Sequence, residues 1–183
     1  MSATRKITES ALLIALAIVF QSLRYISPAI MGNLAGVFVI GSLVNLVIFV
    51  AIGRVGFGAA ALISIITPLV AVFEGHLPNI LLAPAVIIGN LIIAFVWWLL
   101  NLKLKLVSQT ISVIIASVLK FLFLWWAVPW TFTMFLYGSW SGKGTAEKVL
   151  ATLTANMSWP QLVTALIGGL LAVVVLRVLP KKQ

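Results

Sequence analysis

The chain has 183 residues, 63% of them hydrophobic and only 8% charged, with a net charge of +9 and a mean hydropathy of +1.23. Soluble domains carry about 25% charged and about 45–50% apolar residues, so a single core in water could not hide this much apolar surface, and a water-solvated globule is excluded. With no cysteine, one histidine and three acidic residues, the chain cannot be a disulfide scaffold or carry a thiolate metal site or Cys nucleophile, and little remains for hydrolytic chemistry.

A bilayer-spanning helix needs about 20 predominantly apolar residues. Six stretches qualify, and they predict an all-α integral membrane protein with six transmembrane helices in one compact bundle. The first covers 10–26 and stops before Ser27-Pro28. An apolar 10–20 segment behind Arg5 and Lys6 has the look of a signal peptide, but no convincing small-residue cleavage site precedes the next span. The second covers 34–52, between Gly32-Asn33 and Gly53-Arg54. The third, 55–73, is closed by Glu74-Gly75-His76. The fourth, 80–100, begins after Pro78-Asn79. The fifth, 106–128, ends at Pro129, and the sixth, 159–179, is entered through Pro160 and closed by Pro180. Proline near a helix start and Gly or Pro beyond its end are the expected boundary marks. Between the last two spans lies a long aromatic connection, 129–158, read as an outer lid loop with a short amphipathic helix near 146–155. Long connections in compact domains are usually functional or disordered, and this one is too aromatic for simple disorder.

Basic residues set the orientation. With the N-terminus inside, Arg5, Lys6, Arg54, Lys103, Lys105, Arg177, Lys181 and Lys182 fall on the cytoplasmic side, against Arg24, Lys143 and Lys148 outside. Both termini are therefore expected in the cytoplasm, with the chain in the cell membrane. Scattered charges of this kind form no basic face for nucleic acid.

Ionisable and polar groups inside a bilayer are costly and mark functional positions by default. Here they gather toward the outer helix ends: Arg24 in the last turn of the first span, Glu74, His76 and Asn79 between the third and fourth, Asn90 inside the fourth, and Lys120 in the fifth, followed by Trp125, Trp126 and Trp130. Asn79 and Asn90 are 11 residues apart, close to three helical turns, and would share a stripe that Trp97 extends. Ser117 and Lys120 form a second stripe. Lys120 has two readings, a buried role or snorkelling to the outer headgroups. Trp97, Trp98 and Trp140 suit an interfacial belt as well as a site, Asn90 suits an interhelical hydrogen bond as well as a ligand, and Glu74 could pair with Arg24 or Lys120. No metal site and no cofactor are expected around the single His76. There is no phosphate-cradling Gly-Lys-Ser/Thr sequence, since Ser141-Gly142-Lys143-Gly144 lacks the spacing. Neither a catalytic triad nor a carboxylate pair is available, so an enzyme is not expected.

Arg5-Lys6 ahead of Ala11-x-x-x-Ala15, with six spans and both ends inside, resembles the substrate-binding S components of energy-coupling factor (ECF) vitamin transporters. Pro78-Asn79-Ile80 through Gly89-Asn90, and Trp159-Pro160-Gln161-Leu162 through Gly168-Gly169, are similar to segments of that family. The resemblance covers the whole chain as an architecture. It implies a high-affinity binding subunit for a small vitamin or vitamin precursor, a membrane scaffold subunit meeting Ala11 and Ala15, and two partner ATPases as the source of energy. It also implies a substrate site near the outer side, where Glu74, Asn79, Asn90, Lys120, Trp125, Trp130, Arg24 and His76 are the candidates. Tryptophan faces there would stack on a flat heteroaromatic ring.

Two other classes remain open: a non-transporting membrane scaffold of the MreD type, and a solitary ion-coupled carrier. A scaffold needs no outward polar cluster. A carrier would want a carboxylate midway along a span, and the three glutamates lie near span ends or outside. Reporter fusions test the topology: those after Lys105 and Lys182 are expected to read as cytoplasmic and one at Gly142 as external, and an external signal from the Lys105 fusion would refute it.

Overall fold

A computed structural model of the chain describes residues 2–26, 34–77, 79–103, 107–141 and 145–179, and every regular element among them is helical. The boundary marks expected at Ser27-Pro28, Gly32-Asn33, Pro78, Lys105, 142–144 and 180–182 lie outside the described residues.

Helix α1 (Ala3–Gln21) starts ahead of its apolar run because Ser2 caps it, its side chain accepting from Arg5 N, as N-cap serines do. After Ser22 comes a single turn, α2 (Leu23–Ile26), and then α3 (Leu34–Arg54). The chain reverses at Gly56, whose φ of +132° is poorly accessible to other residues, into α4 (Phe57–Phe73). A 3₁₀ turn, Ile80–Leu82, leads into α5 (Ala83–Trp97), which winds on as a π-helical segment, Trp98–Lys103. Helix α6 (Gln109–Thr131) is capped by Ser108, which accepts from Ile111 N.

The segment 129–158, expected as a loop, is largely helical. Pro129 removes one backbone donor but does not end α6: Thr133 Oγ1 donates to Pro129 O and Trp130 O, both at 3.0 Å. A π-helical turn, Phe132–Leu136, then widens the ladder before α7 (Tyr137–Ser141). Such turns are the usual way a helix absorbs a local mismatch. Helix α8 (Ala146–Met157) buries Ala146 and Met157 and exposes Glu147 and Lys148, and Ser158 breaks it from α9 (Trp159–Val178). Four stretches, Ala35–Arg54, Ile80–Leu102, Gln109–Ser139 and Ala146–Val178, are long and apolar enough to cross a membrane, and Phe57–Phe73 is a shorter apolar helix.

Alternating directions bring both chain ends to one end of the bundle. There Glu9 meets Arg5 at 3.0 Å and Arg54 at 3.4 Å. The opposite, distal end collects the C-terminal ends of α1, α4 and α6, the N-terminal ends of α3, α5 and α9, and α8. Outward faces are apolar: α6 exposes Ile111, Ile115, Val118, Leu122 and Trp125 along one stripe. A helix apolar on every side belongs in a bilayer or a large core.

Small residues set the closest crossing, between α3 and α9. A Cβ on Gly168 would collide with Ser42 O and come within 2.7 Å of Leu46 N, and one on Gly41 would lie 2.8 Å from Thr164 Cγ2. Close backbone approach is how helices pack without a hydrophobic driving force between them. Gly168→Val is expected to lower thermal stability in detergent by an amount in the overpacking range of about 1–3 kcal/mol. Gly58→Ala, which meets nothing within 4 Å, should leave it unchanged or slightly raised, as a melting comparison of the two variants will show.

Candidate functional site

Lys120 sits within α6 and is only 1% exposed, so the snorkelling alternative is not the arrangement found. Its Nζ donates to Asn90 Oδ1 on α5 at 2.9 Å and to Asn45 Oδ1 on α3 at 3.2 Å. Asn45 in turn donates through Nδ2 to Gly41 O at 2.8 Å and Thr164 Oγ1 on α9 at 3.3 Å. Four helices therefore share one polar node. The node lies where two apolar clusters meet, one around Phe49, Ile93, Trp97 and Ala116, the other around Leu82, Leu124, Val128 and Phe132.

The node forms the floor of a cavity of about 600 Å³ at the distal end, within the roughly 300–1,000 Å³ usual for small-molecule pockets. Gln21 from α1, Gly41, Val44 and Asn45 from α3, Thr67 and Ala71 from α4, and Asn90 from α5 line its walls. Helix α8 supplies Leu153, Asn156 and Met157, and α9 supplies Gln161.

The turn after α4 shapes the mouth. Gly75 takes a φ of +70°, its N–H donates to Val72 O, and His76 N donates to Ala71 O at 2.8 Å. This is a Schellman ending, which needs a left-handed residue at its centre. The turn directs His76 into the cavity wall and Glu74 toward α1 and α2. Ser22 Oγ donates to Glu74 Oε1, Tyr25 OH donates to Glu74 O at 3.4 Å, and His76 Nδ1 stands 3.1 Å from Glu74 Oε2. The Tyr25 and His76 rings are 5.9 Å apart.

Of the candidates read from sequence, Asn90 and His76 line the cavity, Lys120 stands behind its floor, and Glu74 braces the mouth. Glu74 meets Ser22, Tyr25 and His76; Lys120, one partner expected for it, turns instead to Asn45 and Asn90. The backbone of Arg24 belongs to α2, and its side chain lies outside the described residues. Asn79 is not on a helical stripe with Asn90. Its backbone is extended and its Oδ1 accepts from Leu81 N, capping the 3₁₀ turn. Trp125 and Trp130 are 58% and 45% exposed and lie on an outer patch with Trp126, Pro129 and Thr133, away from the cavity lining. Trp97, a belt candidate, is buried against Phe49 at 6.2 Å. Ala11 and Ala15 lie exposed on α1, whose buried contact is Ala17. Compared with family models, curated proteins and solved structures, the chain matches none.

Asn45 was not among the sequence candidates, although it and Ser42 are the polar residues within the α3 apolar run. Only the helix rotation reveals that Asn45 faces Lys120. The node predicts coupled energetics. Lys120→Met leaves two amide oxygens without their donor, an expected loss of about 1–3 kcal/mol. The double variant Lys120→Met/Asn90→Leu should lose less than the sum of the singles, with an interaction energy of about 0.5–3 kcal/mol in a double-mutant unfolding cycle. Strict additivity would mean that the node contributes nothing as a unit.

Proposed function

We propose that the chain is the membrane-embedded substrate-binding subunit of an ECF-type importer, taking up a small polar molecule of vitamin size with energy from partner ATPases. The observation that carries this reading is the distal cavity with a polar floor inside an otherwise apolar bundle. Intramembrane polar groups are costly and by default mark functional positions, and here a buried amine and two amides stand beside a cavity of small-molecule size. The position of the cavity at the end opposite both termini agrees with an external substrate if the termini are cytoplasmic, as the distribution of Lys and Arg favours.

The absence of Trp, Tyr or Phe from the cavity lining among the described residues moves the substrate preference from ring stacking toward hydrogen bonding by amides. In this reading the exposed Ala11 and Ala15 form the surface that meets a membrane scaffold subunit, where small side chains permit close backbone approach. Ala17, on the buried side, holds α1 to its own bundle.

Two experiments test the reading. Full-length chain purified in mild detergent should release a small molecule on denaturation, identified by mass spectrometry, and Ala71→Trp, which fills the cavity wall, should abolish its recovery without unfolding the protein. In cells, Ala11→Trp with Ala15→Trp should reduce uptake of that compound at least tenfold while the purified variant still retains it. Normal uptake by this double variant would remove the interface, and recovery of the compound from Ala71→Trp would remove the site.

A further inference from the structure

The chemistry of the cavity floor narrows the occupant to one charge class, an inference that rests on reading the cavity as the binding site. The polar lining consists of amides, a hydroxyl and an imidazole, including Gln21, Asn45, Thr67, His76 and Asn90, with no carboxylate among the lining residues. Behind the floor, the Lys120 amine has two neutral amide oxygens as acceptors, and among the described residues it belongs to no ion pair. A buried basic group normally has an anion beside it, because dipoles alone compensate a desolvated charge incompletely.

The hydrogen bonds also orient the amides. Asn45 Nδ2 is occupied by Gly41 O and Thr164 Oγ1. Asn90 turns Oδ1 to Lys120, so its Nδ2 points away from the amine while the residue lines the cavity. The floor therefore offers one amide donor polarised by the amine behind it. Around it, Val37, Ile40, Val44, Pro68 and Val86 form an apolar wall.

We propose that the cavity binds a small monoanionic carboxylic acid, its carboxylate on Asn90 Nδ2 and its charge balanced by Lys120, its body against the apolar wall. A single buried base balances a single negative charge. A phosphate or other dianion would call for several charged donors arranged around it, and the amine disfavours a cation at the floor, since Glu74, the carboxylate at the mouth, is turned to Ser22 and His76. Lys120 and Asn90 are specificity-determining residues in this scheme, in which the carboxylate of the ligand is the counter-charge to Lys120.

The test uses the full chain in a non-ionic detergent and three matched acid and amide pairs: benzoate and benzamide, nicotinate and nicotinamide, octanoate and octanamide. Dissociation constants are read from calorimetric titration. At least one acid is expected to bind tenfold or more tightly than its amide. Lys120→Met should reduce that ratio to about two or less, about the level of no useful discrimination. Asn90→Asp keeps an acceptor for Lys120 and supplies the anion from within the chain, so it should fold at least as stably as the parent and lose the preference for acids. Amides binding as tightly as acids, or a preference for acids that survives both substitutions, would overturn the inference while leaving the cavity as a site. Failure of every probe to bind would overturn it as well, and the fate of the cavity reading then rests separately on whether a compound is recovered from the purified chain.

Discussion

The amine of Lys120, caught between the side-chain oxygens of Asn45 and Asn90, fixes how the other helices must stand. Helices α3, α5, α6 and α9 are apolar on almost every face, so hydrophobicity alone gives each little reason to prefer one rotation or register over another. A buried donor with acceptors on two neighbouring helices supplies that reason. Sliding α6 by one turn, about 5.4 Å, would strand the amine among aliphatic side chains and leave both amide oxygens without their donor. Thr164 extends the constraint to α9 through Asn45. Buried polar groups of this kind specify an arrangement more than they add to its stability.

Small residues make the node geometrically possible. Because Gly168 carries no Cβ, α9 comes against the α3 backbone at Ser42 and Leu46, which bracket Asn45. Gly41 meets the Thr164 side chain and also lends its carbonyl to Asn45. Gly89, beside Asn90, gives Leu124 room one turn beyond Lys120. Glycine at these positions loses helix propensity, about 1 kcal/mol relative to alanine. The loss is offset by contacts that a larger side chain would prevent. The packing is closest beside the polar floor and opens toward the distal end, where α8 lies over α6 and α9.

Much of this was legible in the sequence, and the unread part has a single physical origin. Apolar runs long enough to cross a bilayer, and Asn90 and Lys120 as polar interruptions within them, follow from composition and length. The rotation of each helix does not, because runs apolar on every face carry almost no periodic signal. That is why Trp125 and Trp130, which share α6 with Lys120, were grouped with it although they point outward, and why Asn45 was overlooked. Asn79 misled for another reason: spacing by helical turns applies only inside a helix, and here a 3₁₀ turn intervenes before α5. The extension of α6 beyond Pro129 was hidden because proline is a strong but not absolute terminator, and hydroxyl back-bonding with a π turn is invisible in a hydropathy profile.

The proposed binding role gives the two ends of the cavity different duties. Its floor is held by hydrogen bonds running through four helices, all remote from solvent, so it has little freedom to rearrange for a poor ligand. Its mouth is held by fewer and more exposed contacts, Tyr25 OH on Glu74 O among them, joining the end of α1 and the following turn to the turn after α4. Segments with few buried contacts and exposed hydrogen bonds open at lower free energy than a packed core. In the proposed role, discrimination by charge belongs at the floor and passage at the mouth. Helices α1, α3, α4, α5, α8 and α9 all contribute to the cavity lining. Binding to this folded arrangement alone stabilises it by RT ln(1 + L/Kd), where L is the free ligand concentration. In the proposed role, a ligand in this cavity would favour the packed arrangement that includes α1, the helix whose exposed Ala11 and Ala15 face is proposed to meet the scaffold.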